Sequence, residues 1–139
     1  MSFIESVSDM PESGLIVSNI ADVCVVEFQE HTLLNTSTVE RLSGQLIALV
    51  DRHGIRKLVL DFATVRFLSS QMLGALLALH KKLKDAGGEL VLCGMGSDVG
   101  RVFRVMNLHK TLRMHRDTAA ALKHFGVDDD ASEHTRPQA

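Results

Sequence analysis

"KLVLDFATVRFLSSQMLGALLALHKKLKDAGGELVLCGM", residues 57–95, changes hydrophobic period twice, and the two changes define a fold. With Arg56 before it, the opening "RKLVLDF" is a continuous apolar run, as expected of a central strand covered on both faces. From about Ser70 to Ala86 the period becomes helical. Met72, Leu73, Leu76, Leu77, Leu79 and Leu83 share one side, and Gln71, Lys81, Lys82, Lys84 and Asp85 the other. Gly87 and Gly88 end the helix, and "ELVLCG" reads as a second buried strand. A helix between two such strands makes them parallel, with a right-handed crossover.

Upstream, "GLIVSNI" and "DVCVVEF" are β-branched runs joined by Ala21 and Asp22, the pattern of an antiparallel hairpin. In "NTSTVERLSGQLIALVDRHG", Val39, Leu42, Leu46, Leu49 and Val50 form an apolar helical stripe, with Ser37 and Glu40 at capping-box spacing and Gly54 as the stop. Downstream, Ser97 is placed to cap a short helix whose Val99, Val102, Phe103 and Met106 share a face. A weaker strand, "TLRMH", and a last helix from Asp117 to Phe125 follow. The order ββαβαβαβα specifies an α/β class: one mixed sheet of four or five strands with about four helices, mainly on one face. The domain is expected over residues 14–126. Residues 1–13 read as a flexible leader, and residues 127–139, acidic and almost without apolar side chains, as a disordered tail.

The 139 residues suffice for one domain. With neither Trp nor Tyr there is little for bases to stack on, and a net charge of −2 gives no general attraction to nucleic acid or anionic lipid. No apolar run reaches the length of about 20 residues needed to span a bilayer, and the start "MSFIESVSDMPES" does not resemble a secretion signal. The expected location is the cytoplasm, without direct nucleic-acid or membrane binding. Cys24 and Cys93 lie inside apolar runs and read as small buried residues. The seven histidines, at 31, 53, 80, 109, 115, 124 and 134, adopt no zinc spacing, so neither a metal nor a cofactor is expected. "GMGSDVG" lacks the third glycine of a dinucleotide loop and reads as a tight turn before the Ser97 helix.

Ser69 and Ser70 sit where strand gives way to helix. They can be caps, a nucleophile or a switch. Against a nucleophile, the flanking Leu68 and Gln71 are not the glycines of a G-x-S-x-G elbow. His80 is also roughly 15 Å along the same helix at 1.5 Å per residue. No enzyme activity is expected. A serine at this position is also a preferred N-cap.

Residues 57–95 resemble the STAS family, whose stand-alone bacterial members are anti-sigma factor antagonists; the likeness runs from about Gly14 to Phe125. The family typically shows hydrophobic-D-x-x-x-V-x-[FY]-[ILM]-D-S-[ST]-G-L-G, then an amphipathic helix and A-G-G-x-L-x-L. Asp61, Phe67, Ser69, Ser70, Gly74, Ala86, Gly87, Gly88, Leu90 and Leu92 match it. There are three departures. Leu68 replaces the aspartate before the serine, Gln71 replaces a glycine, and the family's G-[ED]-[LF]-D loop is "TLLN", with Asn35 in place of a carboxylate.

The resemblance implies a phosphorylation-controlled protein-binding switch that regulates transcription. It makes Ser69 the phosphoacceptor, with Ser70 as the alternative, and places partner contacts at Asn35, Thr64, Arg66, Ser69 and Gln71. The implied partners are a kinase-type (GHKL) anti-sigma factor, sequestered by the unmodified form, and a PPM-type serine phosphatase acting on the phosphorylated form. The missing carboxylates suit a different reading, a STAS scaffold or assembly module that works without phosphorylation.

Overall fold

A computed structural model describes residues 14–127. Residues 1–13 and 128–139, the expected leader and nearly all of the expected tail, lie outside the described residues. In chain order the elements are β1 (Leu15–Ile20), β2 (Val23–Phe28), β3 (Thr32–Leu33), α1 (Thr36–Asp51), β4 (Lys57–Asp61), β5 (Phe67–Leu68), α2 (Ser70–Asp85), β6 (Glu89–Cys93), α3 (Ser97–Val105), a 3-10 turn (Leu108–Lys110), β7 (Arg113–His115) and α4 (Thr118–His124). Five strands form one mixed sheet in the order β1-β2-β4-β6-β7. The hairpin β1–β2 is antiparallel and every other pair in this sheet is parallel. The apolar run 57–61 is therefore the central strand, as its sequence requires.

Alternation along the strands divides the core in two. Cys24, Val26, Leu58, Leu60, Leu90 and Leu92 face the larger core with the buried stripes of α1 and α2. Val23, Val25, Val59, Val91 and Cys93 face the smaller one, closed by Ala121 and Leu122 of α4. Buried on both faces, the central strands have no polar side, which is why they read as continuous runs. Both thiols are buried and free, and burial pushes Cys24 up to about 12 and Cys93 to about 11, which suppresses thiolate chemistry.

Four details differ from the sequence expectation. Asn35 rather than Ser37 caps α1: Asn35 Oδ1 accepts from the Ser37 N–H at 2.9 Å and the Thr38 N–H at 3.3 Å, so the helix begins earlier. Likewise the carbonyl of Gly96 takes the Gly100 N–H at 2.8 Å, which makes Gly96 the cap of α3 and Ser97 its first residue. On α3 the buried pair is Val99 and Phe103, one turn apart, whereas Val102 and Met106 are exposed. Finally, Leu77 of α2 is only partly buried against the core.

Candidate functional site

The chain places its two serines by a short second sheet that the periodicity did not announce. β3 and β5 pair in parallel, Thr32 with Phe67 and Leu33 with Leu68. The loop after β2 is latched to the loop after β4: the Arg66 N–H donates to the His31 carbonyl at 2.7 Å, and His31 Nδ1 lies 3.1 Å from the Thr64 carbonyl. The Ser69 N–H then donates to the Leu33 carbonyl at 2.9 Å. A serine 36 positions from Leu33 in sequence is thereby tied to the end of β3, two residues before Asn35.

The base of the second loop is held by Asp61. Its Oδ1 accepts from the Ala63 N–H at 2.9 Å, and its Oδ2 from the Thr118 hydroxyl at 3.1 Å. Gly94 packs there with a φ of +74°, and any Cβ on it would collide with the Asp61 carboxylate. A left-handed backbone and a close approach both demand glycine at this point.

Ser69 is the N-cap of α2, with extended backbone (φ −91°, ψ 165°), and its Oγ accepts from the Met72 N–H at 3.2 Å. Its carbonyl takes the Leu73 N–H at 3.2 Å. Accepting that bond leaves the hydroxyl proton free to be donated or replaced. The side chain is half-buried, whereas Ser70, the first helical residue, is exposed. No backbone acceptor is found for the Ser70 and Gln71 N–H groups among the described residues. They form, with the helix dipole, a favourable setting for negative charge on Ser69.

The other expected contact residues differ in exposure. Asn35, Arg66 and Gln71 are exposed and Thr64 is half-buried. Asn35 is also structurally engaged, because Oδ1 accepts from the Ser37 hydroxyl at 2.7 Å besides the two amides. Asn35→Ala should cost about 1 kcal/mol through the lost cap. Chemical denaturation checks it, and a loss below about 0.3 kcal/mol would mean that the cap is dispensable.

Sequence reasoning missed two apolar side chains here. Leu34, just after β3, and Phe67, on β5, are 52% and 55% exposed, whereas Leu33 is buried and Leu68 packs against the core. The period of two was present in "FL" and "LL", yet a two-residue strand is too short for alternation to be read. Beside Phe67 a cleft of about 560 Å³ opens between Thr64, Arg66 and the start of α3 at Ser97 and Asp98. Among the described residues no group of three or more His, Cys, Asp or Glu side chains could hold a metal ion. No helix among them is long and apolar enough to cross a membrane.

The chain is similar to known proteins. The chain is 33% identical over 94 residues to BtrV of Bordetella bronchiseptica, a candidate anti-sigma factor antagonist, covering 66% of this chain and 80% of that protein. It is 24% identical over 94 residues to the anti-sigma F factor antagonist of Paenibacillus polymyxa, covering 68% and 80%. The crystal structure of an anti-sigma factor antagonist from Mycobacterium paratuberculosis superposes with a TM-score of 0.71 at 26% identity, covering 83% of this chain and 96% of that one. The STAS domain family model matches residues 15–121, spanning β1 to α4, and with it the chain belongs to the STAS domain family.

Proposed function

We propose that this chain is an anti-sigma factor antagonist, a protein-binding switch controlled by phosphorylation of Ser69. One observation supports the reading: a half-buried serine caps a helix in a turn tied by hydrogen bonds to the loop before Asn35, and Asn35, Arg66, Gln71, Leu34 and Phe67 in these segments are exposed. The names of the relatives supply the partner class, an anti-sigma factor. In the unmodified form this surface docks on a kinase-type (GHKL) anti-sigma factor and releases its sigma factor. That partner transfers phosphate from ATP to Ser69, and a PPM-type serine phosphatase removes it. The interacting unit is residues 14–126, it acts in the cytoplasm, and it has no catalytic role of its own.

The phosphorylation-independent scaffold has a specific observation in its favour. Leu68, in the position of the family's aspartate, packs against the core, and Asn35 spends its oxygen on capping α1. Carboxylates that would steer a kinase are thus absent from both places.

Labelling separates the two. With purified GHKL anti-sigma factor and radiolabelled ATP, the wild type takes up phosphate; Ser69→Ala takes up none and still captures the partner. Retention of label by Ser69→Ala would move the acceptor to Ser70. Capture without labelling of either serine would favour the scaffold.

A further inference from the structure

The C-terminal half of α2 faces a second cleft, remote from the serines. From Ser69 to Lys84 the helix rises about 22 Å at 1.5 Å per residue. The cleft has a volume of about 640 Å³ and lies between this end of α2, the start of β6 and the segment from the 3-10 turn to β7. Its lining includes His80, Lys84, His109, Lys110 and Arg113, with Glu89 as the only carboxylate among the described residues. Three cations against one carboxylate leave a formal charge of +2 on a protein whose net charge is −2.

The ion pairing elsewhere makes this concentration notable. Lys57, Lys81 and Lys82 each have a carboxylate partner, Asp22, Asp85 and Asp51. Of the three lysines left without one among the described residues, Lys84 and Lys110 both line the cleft. Glu89 does not satisfy them. Its Oε2 lies 2.8 Å from His124 Nε2 and 3.8 Å from Arg113 Nε. His80 Nδ1 is buried without a hydrogen-bond partner among the described residues.

We propose that this cleft binds a small phosphorylated molecule, with its phosphate held by Lys84, Lys110 and Arg113 and its body against the His80 side. The cations and imidazoles provide charge-assisted donors suited to a phosphate dianion. A volume of this size, within the range of about 300–1,000 Å³ usual for small-molecule sites, exceeds what an isolated phosphate needs. The site is independent of the Ser69 reading and shares no residue with it.

The test is an NMR titration of the full chain at constant ionic strength, with inorganic pyrophosphate and ribose 5-phosphate as probes and sulfate as the control. Saturable shifts are expected in the amides of residues 80–90 and 108–114 for both probes, with sulfate weaker. Lys84→Ala with Lys110→Ala should weaken binding at least about tenfold, the scale of losing charge-assisted contacts. Both lysines are exposed, so the double variant keeps its fold, which its spectral dispersion verifies. Ser69→Ala should bind as wild type. Shifts that fail to saturate at millimolar probe, match those of sulfate, or survive the double substitution would overturn the proposal. So would binding confined to phosphatidylcholine vesicles containing phosphatidylinositol phosphate, which would assign the cleft to a lipid headgroup instead.

Discussion

Phe62→Ala should lower the stability of the domain by about 3–5 kcal/mol, the range for truncating a fully buried aromatic side chain. Phe62 has no exposed surface and follows the central strand directly. Its ring centroid lies 5.0 Å from that of Phe28 on β2 and 6.4 Å from that of Phe103 on α3. Truncation leaves a cavity between a strand, the start of the Ser69 loop and a helix, and the backbone cannot collapse freely because the Phe62 N–H is bonded to the Cys93 carbonyl at 2.8 Å. Against a total of about 5–15 kcal/mol for a domain, such a loss removes at least about a fifth of the stability. Phe67→Ala is the contrast. Five residues on, with an exposed ring, it should change stability by less than about 0.5 kcal/mol while weakening partner binding. Urea unfolding of both variants decides: a loss below about 1 kcal/mol for Phe62→Ala would show that the three-ring cluster does not anchor the loop.

That contrast marks the limit of what the sequence made legible. The central strands and both long helices could be read because each buries a whole face: runs such as "LVL" and a five-residue stripe on α1 leave no other period to fit. The position of Ser69 at the start of α2 followed from the change of period. Two kinds of feature did not follow. Helix starts depend on which oxygen reaches the free amides first, and Asn35 precedes Ser37 in doing so; several capping residues in a row leave the choice to geometry. The β3–β5 ladder joins residues 35 positions apart, so local pattern contains no trace of it. The same holds for the His31 to Thr64 latch, and hence for the exposure of Phe67 beside Ser69. The cationic cleft was missed for a related reason. Lys84 read as one of a run of solvated lysines, and only folding shows that its neighbours Lys81 and Lys82 are paired while Lys84 meets Lys110 across a cleft.

Phosphate on Ser69 should reduce affinity for the anti-sigma factor at least about a hundredfold, a difference of some 2.8 kcal/mol. Modification adds a charge of about −1.5 to −2 at the N-terminal turn of α2. In the free protein this is tolerated. The amides of Ser70 and Gln71, without a backbone acceptor among the described residues, lie in that turn, and the helix end stabilises an anion by about 0.3–1 kcal/mol. The fold therefore does not change, and thermal melting of the phosphorylated and unmodified forms should nearly coincide. In the proposed complex the same charge would be enclosed beside the apolar Leu34 and Phe67 side chains, and desolvating a dianion that the helix end neutralises only in part costs several kcal/mol. Binding weakens because the interface changes, and no rearrangement of the domain is needed. Ser69→Glu should reproduce the direction with a smaller loss, since one carboxylate has less charge and fewer acceptor oxygens than a phosphate. Ser70→Ala should leave both binding and its control by phosphate intact, because the cap of α2 is the Ser69 side chain and Ser70 is the first helical residue. Calorimetric titration of each form against the purified partner measures these differences. If the phosphorylated protein and Ser69→Glu bind as tightly as wild type, charge at the cap does not control docking, and the surface around Ser69 functions as a constitutive interface.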